Sequence, residues 1–232
     1  MESVLCLRGA VAVLGRFPAL AGADLDVVRS EIVLVSGPNG AGKSTLLRLC
    51  AGLAMLAAGE GTVLGFDLRR QRPQVRRRVG YLGHGNGLYG ELSAEENVAF
   101  WARCAGAPRA DVVATLDRLE VAPRWRPLAT AHLSAGQRRR TALACLVVRR
   151  PELWLLDEPH TGLDAAARDL LEGLIQEAVV GGATVLIASH ELDRTAALAT
   201  REVRLVGGTV RPAVTPDPVP VTESSSERDH VA

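Results

Sequence analysis

The ten residues SGPNGAGKST, 36–45, constrain this chain more than any other stretch. They end EIVLVSG (31–37), a short apolar and β-branched run that reads as a buried strand, and they run into STLLRLCAGL (44–53), whose apolar residues recur at helical spacing until Gly52 stops the pattern. Gly37, Gly42, Lys43 and Ser44 fit G-x-x-x-x-G-K-[ST] between strand and helix, the context that defines a P-loop. Glycines let the backbone curl until its N–H groups point inward at phosphate oxygens, and the helix start adds its positive dipole end. The expected cradle is therefore Gly37, Pro38, Asn39, Gly40, Ala41, Gly42, Lys43, Ser44 and Thr45. Of the chain's 27 basic residues, Lys43 is the only lysine. A compact, flexible ammonium reaches β- and γ-phosphates where a broad planar guanidinium does not, so lysine stands at the position that requires it.

Two further runs, LWLLDEP (153–159) and TVLIASH (184–190), have the same strand character, with weaker candidates at 4–7, 62–64, 79–82 and 203–206. Continuous apolar strands separated by helical stretches predict an α/β fold, its parallel sheet covered on both faces. From about 87 to 148 the chain is rich in Ala, Leu, Glu and Arg, and SAEENVAFWARCAGA and GQRRRTALACLVVR both read as helices. Ser93 with Glu96 three residues on is a capping box for the first of them. This segment is expected as a helical lobe inserted between strands of one domain, 1–211. Residues 212–232, rich in Pro, Ser and charge without periodicity, are expected as a disordered tail. With only eight aromatic side chains (three Trp, two Tyr, three Phe), the core has to be built mostly from Ala, Leu and Val.

Asp157 and Glu158 close the apolar strand LWLLDEP. A carboxylate there suits Mg²⁺, with Ser44 supplying a hydroxyl ligand, and its neighbour can orient and deprotonate an attacking water.

The third element is LSAGQRRR, 133–140. With it the chain resembles the nucleotide-binding subunit of ATP-binding cassette (ABC) transporters, whose signature LSGGQ lies shortly before the second carboxylate strand. Ser134, Ala135, Gly136 and Gln137 occupy those positions. The resemblance covers about residues 3 to 211 and five motifs in order. It implies a P-loop ATPase cassette with a mainly parallel core sheet, an N-terminal antiparallel β subdomain and the inserted helical lobe. It also implies ATP and Mg²⁺ as cofactors, Glu158, His190 and Lys43 as catalytic groups, and Ser44 and Asp157 at the metal. In that family two subunits sandwich two nucleotides head to tail. The implied partners are thus a second copy of the chain, whose signature residues serve the facing ATP, and an integral membrane transporter subunit. Asp164 in TGLD matches the loop that bridges the halves, and His190 matches the histidine that contacts the γ-phosphate.

The chain departs from the family pattern in places. His84 stands where a glutamine senses Mg²⁺ and relays to the membrane subunit, and imidazole can accept a hydrogen bond or ligate a metal. No clear adenine-stacking aromatic precedes the P-loop: Leu14 sits near the expected place and Phe17 is the nearest ring. Cys145 replaces an arginine common after the signature helix's ALA. His84 and Ala135, together with GHGNGLYGELSAEENVAFWAR and LWLLDEPHTGLD, are similar to the ATP-binding subunits of haem exporters in cytochrome c maturation. The alternatives are an ATPase subunit for drug or polyketide efflux, which shares the architecture, and a soluble ABC ATPase of repair or translation. The single cassette and the lack of sustained heptads count against the last.

A formal charge of +1 gives no global attraction to nucleic acid. The densest basic run, RRQRPQVRRR (69–78), lacks the aromatics that stack on bases, so it reads as a solvated surface and nucleic acid is not an expected partner. Cys6, Cys50, Cys104 and Cys145 are scattered without a CxxC pair, as for reduced thiols. The start MESVLCLRGAVAVLG has no basic n-region and Arg8 interrupts it, unlike a signal peptide. The expected location is cytoplasmic, peripheral on the inner face of the cell membrane.

Overall fold

Two sheets meet at the glycine-rich turn in the computed structural model, which describes residues 2–190 and 192–212. The first is antiparallel and contains β1 (Ser3–Leu14), β2 (Phe17–Val28), β4 (Ala58–Val63) and β5 (Phe66–Asp67) in the order β2-β1-β4-β5. The second contains β3 (Ile32–Ser36), β6 (Val79–Leu82), β7 (Leu153–Asp157), β8 (Thr184–Ala188), β9 (Arg201–Val206) and β10 (Thr209–Pro212). Its order is β10-β9-β3-β8-β7-β6, parallel throughout except for the antiparallel edge strand β10. Around the sheets lie α1 (Lys43–Cys50), α2 (Arg72–Arg78), α3 (Ala94–Ala105), α4 (Arg109–Arg118), α5 (Ala135–Val148), α6 (Ala165–Val180) and α7 (Leu192–Leu198).

The period-2 geometry of the buried strands sorts their side chains between two cores. Leu153 and Leu155 face α1 and the antiparallel sheet, with Val33, Val35, Leu186 and Ala188. Trp154 and Leu156 face the helical lobe, with Ile32, Val185 and Ile187. Ala, Leu and Val do supply most of both cores, as the scarcity of rings requires. Register then fixes where chemistry can happen. Val35 pairs with Ala188, Ala188 with Asp157, and Leu156 with Leu82, so β3, β8, β7 and β6 end side by side. Ligands in open α/β sheets bind in the crevice beyond those carboxyl ends.

The expected lobe consists of α3, α4, a 3-10 turn at Thr130–His132, and α5. Ser93 accepts from Glu96 N (3.1 Å) and donates its own N–H to Glu96 Oε2 (2.8 Å), the predicted capping box. Fully buried Asn97 anchors the segment before α3 with bonds to Tyr89 N, Tyr89 O, Leu92 O and Ser93 O. All four cysteines are free.

α1 runs Lys43–Cys50 and ends at Gly52 as expected, that glycine taking a left-handed conformation. Other boundaries differ from the sequence reading. β2 is a full twelve-residue strand where no candidate stood, since Pro18, Gly22 and three alanines dilute its pattern of buried Leu20, Ala23, Leu25 and Val27. Pro212, expected to open the tail, ends β10 opposite Val203; the expected tail from residue 213 lies outside the described residues.

Gly80 in β6 sits beneath Leu146 and Pro151, both of which an added Cβ would overlap. Gly80→Ala should therefore cost about 1–3 kcal/mol in urea unfolding, the range for overpacking a core. Gly173, inside α6 with open space around it, is the control: Gly173→Ala should gain up to about 1 kcal/mol. Equal effects from both would mean that the lobe does not pack on β6 as described.

Candidate functional site

The turn between β3 and α1 is held from both sides. Gly37 (φ +138) lies so close to Leu205 O in β9, and Gly42 (φ +105) so close to Ala19 O in β2, that a Cβ on either would collide with backbone. Gly208 N donates to Ala41 O (3.2 Å) and Ala21 N to Gly208 O (2.9 Å), linking the turn to both sheets. Gly42 caps α1 with no side-chain acceptor on the first-turn amides, which leaves those donors for an anion. Lys43 is 8% exposed and its ammonium donates to Gly37 O (2.7 Å) and Pro38 O (3.2 Å), folded back over its own loop. Pro38, Asn39, Gly40 and Ser44 are exposed along the rim, with Ala41 buried and Thr45 half-buried.

Beyond β7, Asp157 is buried and Glu158 takes a left-handed backbone (φ +49), a conformation costing about 1–3 kcal/mol in a non-glycine residue. Glu158 N donates to Ala188 O (2.9 Å), which ties the strained residue to the end of β8. Its carboxylate meets His190: Oε1 lies 2.7 Å from Nδ1, and Oε2 accepts from His190 N at 3.4 Å. The carboxylate is 17% exposed and the imidazole 66%. Nδ1–H donating to Glu158 leaves Nε2 free to turn outward. Burial, reinforced by nearby Asp157, pushes the Tyr81 phenol on β6 up to about 12 and keeps it neutral.

These groups gather at the strand ends; residues 134–137 stand at the start of α5. Ser134 Oγ accepts from Gln137 N (3.2 Å) while Gln137 Oε1 accepts from Ser134 N (2.8 Å), a second capping box at the start of α5. Ser134 and Ala135 are exposed, and Gly136 lies near Gly162 O, where a Cβ would stand 3.2 Å away. Asp164 caps α6 by accepting from Ala167 N (2.8 Å) and pairs with Arg140, and this N–H and guanidinium hold its carboxyl below the usual carboxylate range. Among the described residues no hydrogen bond joins 134–137 to 37–45. His84, exposed on the turn after β6, opens onto a cleft of about 230 Å³ shared with Asn86, Ala135, Arg138, Arg139, Thr161 and Gly162.

Leu14 and Phe17 pair at the tip of the β1–β2 hairpin, where Phe17 is 80% exposed. Ala19, two residues along, is the one whose carbonyl oxygen lies against Gly42. Among the described residues no cluster of three or more His, Cys, Asp and Glu could hold a metal alone. One buried carboxylate, Asp157, with the exposed Ser44 hydroxyl, suits an octahedral ion that arrives with phosphate ligands.

One residue of the site had no signal in the sequence. Arg139 is the middle of three arginines, yet it alone is buried at the strand ends, bonded to backbone on either side of Glu158.

Residues 20–161 match the family model described as ABC transporter. The chain is 39% identical over 204 residues to the cytochrome c biogenesis ATP-binding export protein CcmA of Bradyrhizobium diazoefficiens, covering 88% of this chain and 96% of that protein. It is 40% identical to the protein of the same name from Bordetella bronchiseptica, over 82% and 85% of the two chains. A solved ATP-binding subunit of an ABC transporter superposes with a TM-score of 0.82 at 27% identity, covering 89% of this chain and 88% of that one. A dimeric ATP-binding cassette in a post-hydrolysis state with ADP and Pi superposes at 0.81 and 25% identity, over 89% and 96%. With sequence and fold in agreement along most of its length, the chain belongs to the ABC transporter family.

Proposed function

We propose that this chain binds Mg-ATP and hydrolyses it as one of two identical cassettes on an integral membrane subunit, and that it powers haem export for cytochrome c biogenesis. The observation that carries hydrolysis is the contact of 2.7 Å between Glu158 and His190, on a strained backbone one strand away from the P-loop strand's neighbour β8. In this reading the first-turn amides of α1 and the Lys43 ammonium hold the β- and γ-phosphates, the ammonium exchanging its present carbonyl acceptors for phosphate oxygens. Ser44 and Asp157 hold Mg²⁺, which neutralises phosphate charge when bound. Glu158 accepts the proton of the water that attacks the γ-phosphorus. The new P–O bond forms as the bond to the β-phosphate oxygen breaks, and ADP leaves. His190 steadies the carboxylate through Nδ1 and offers Nε2 to the γ-phosphate.

The dimer and membrane placement rest on the exposed signature residues and on the family. Ser134, Ala135 and Gly136 present a helix start that shares no hydrogen bond with the chain's own P-loop, which suits a clamp on a partner's ATP. No described helix is long and apolar enough to cross a membrane, so transport requires a spanning partner. His84 and Ala135, with relatives named for export in cytochrome c biogenesis, support the cargo pathway. Deleting the gene should abolish haem attachment to c-type cytochromes on haem-stained gels, with rescue by the intact chain. Normal c-type cytochromes in the deletion strain would overturn the haem reading and leave the ATPase intact.

Glu158→Gln should still bind Mg-ATP while turnover falls about 10²- to 10⁴-fold, the range for a positioned proton acceptor. Single-turnover rates near the parent's would remove Glu158 from that role. For the composite site, Lys43→Ala and Gly136→Asp chains, each inactive alone, should regain activity when mixed, because a heterodimer holds one site with neither lesion. Heterodimers that form but stay inactive would contradict the head-to-tail arrangement.

A further inference from the structure

Three consecutive arginines, 138–140, follow the capped start of α5 and point three ways, as successive helical residues must. Arg138 donates to Leu133 O (2.5 Å) and Arg140 pairs with Glu120 and Asp164. Arg139 points inward, 3% exposed, and uses its whole guanidinium. Nη1 donates to Gly83 O (2.9 Å) and to Asn86 Oδ1 (2.9 Å). Nη2 donates to Glu158 O (2.7 Å) and Asp157 O (3.4 Å), and Nε to Pro159 O (3.2 Å). No ion pair joins Arg139 to a carboxylate among the described residues. Burial pushes its pKa down to about 10, against the pull of Asp157 and Glu158, so it remains a cation at neutral pH.

A buried charge without an ion-pair partner costs several kcal/mol that packing with an apolar residue would avoid. What the guanidinium provides instead is geometry. Its planar fork bridges two segments just past the last residues that pair β6 with β7, Leu82 and Leu156: the turn 83–86, gripped on both sides of His84, and the residues 157–159. Glu158 is strained (φ +49), and its two peptide groups are pinned from opposite sides, the N–H by Ala188 and the C=O by Arg139. The aim of the Glu158 carboxylate therefore depends on where Arg139 sits, and Arg139 in turn shares one nitrogen with the His84 turn.

We propose that Arg139 is a positioning residue for hydrolysis, joining the turn that carries exposed His84 to the backbone of Glu158, so that displacement of this turn re-aims the carboxylate. This rests on Glu158 being the proton acceptor. It assigns to one buried guanidinium the link between a surface turn and the reacting carboxylate.

The test uses the full chain with Arg139→Gln, Arg139→Lys, Asn86→Ala and the double variant Arg139→Gln/Asn86→Ala, with Glu158→Gln alongside. Melting temperature, ATP dissociation constant, KM and kcat are measured for each. Arg139→Gln should lower kcat about 10- to 100-fold, the cost of misplacing a reacting group by about 1 Å, with ATP affinity held within about threefold. Arg139→Lys should recover part of that loss, having the charge but not the fork. Asn86→Ala should lower kcat by a smaller factor, and adding it to Arg139→Gln should cost nothing more, because Asn86 acts through the missing guanidinium. A kcat within twofold of the parent in Arg139→Gln, or losses that multiply in the double variant, would overturn the link. If Arg139→Gln does not fold, Arg139→Lys and Asn86→Ala decide, and parental kcat in both overturns it. Parental kcat in Glu158→Gln would instead sink the premise about Glu158, whereas a dead Glu158→Gln beside an unimpaired Arg139→Gln sinks only the inference.

Discussion

The structure depends on a turn that has no room for side chains at Gly37 and Gly42. Those two positions bring the backbone between β3 and α1 against Leu205 on one side and Ala19 on the other. The antiparallel and parallel sheets are thereby joined through the segment that would hold phosphate, and Gly208 adds a hydrogen bond to each side. A loop gripped this way keeps its amides aimed inward before any ligand arrives, so binding need not first order it. The same grip brings β2, at Ala19, against the cradle two residues from the exposed Phe17.

Around that turn the molecule buries charge where an apolar residue would be simpler. Lys43, Asp157 and Arg139 are all nearly inaccessible, and each lies at the carboxyl ends of the parallel strands. Lys43 offsets its desolvation with two carbonyls of its own loop, and Arg139 with acceptors from two others. Glu158 adds backbone strain to the account. Concentrating unfavourable terms in one crevice is the pattern expected where structure serves chemistry rather than stability. The two cores, built of aliphatic residues with few rings, supply the stability that tolerates it.

Much of this was legible in the sequence, because its signals are local. The P-loop declares itself by glycine spacing in a strand–helix context, and β3, β7 and β8 by unbroken apolar runs. Ser93 and Glu96 announce α3 by their three-residue interval. What escaped depends on tertiary context. β2 carries Pro18 and Gly22 and becomes a strand only because β1 and the P-loop lie against it. Arg139 is indistinguishable from Arg138 and Arg140 until the helix phase is known. Asp164 carries a family motif, yet its side chain also serves locally as the cap of α6, and Ser134 with Gln137 likewise caps α5. A residue that carries a family motif can therefore also hold a helix end in shape.

Hydrogen exchange of the peptide covering residues 37–46, measured with and without saturating Mg-ATP and with adenosine as control, tests most directly whether the backbone of this turn holds the phosphates. Strong slowing by Mg-ATP and little by adenosine is the predicted result. Unchanged exchange in this peptide at saturating Mg-ATP, or equal protection by adenosine, would contradict the phosphate cradle on which the account rests.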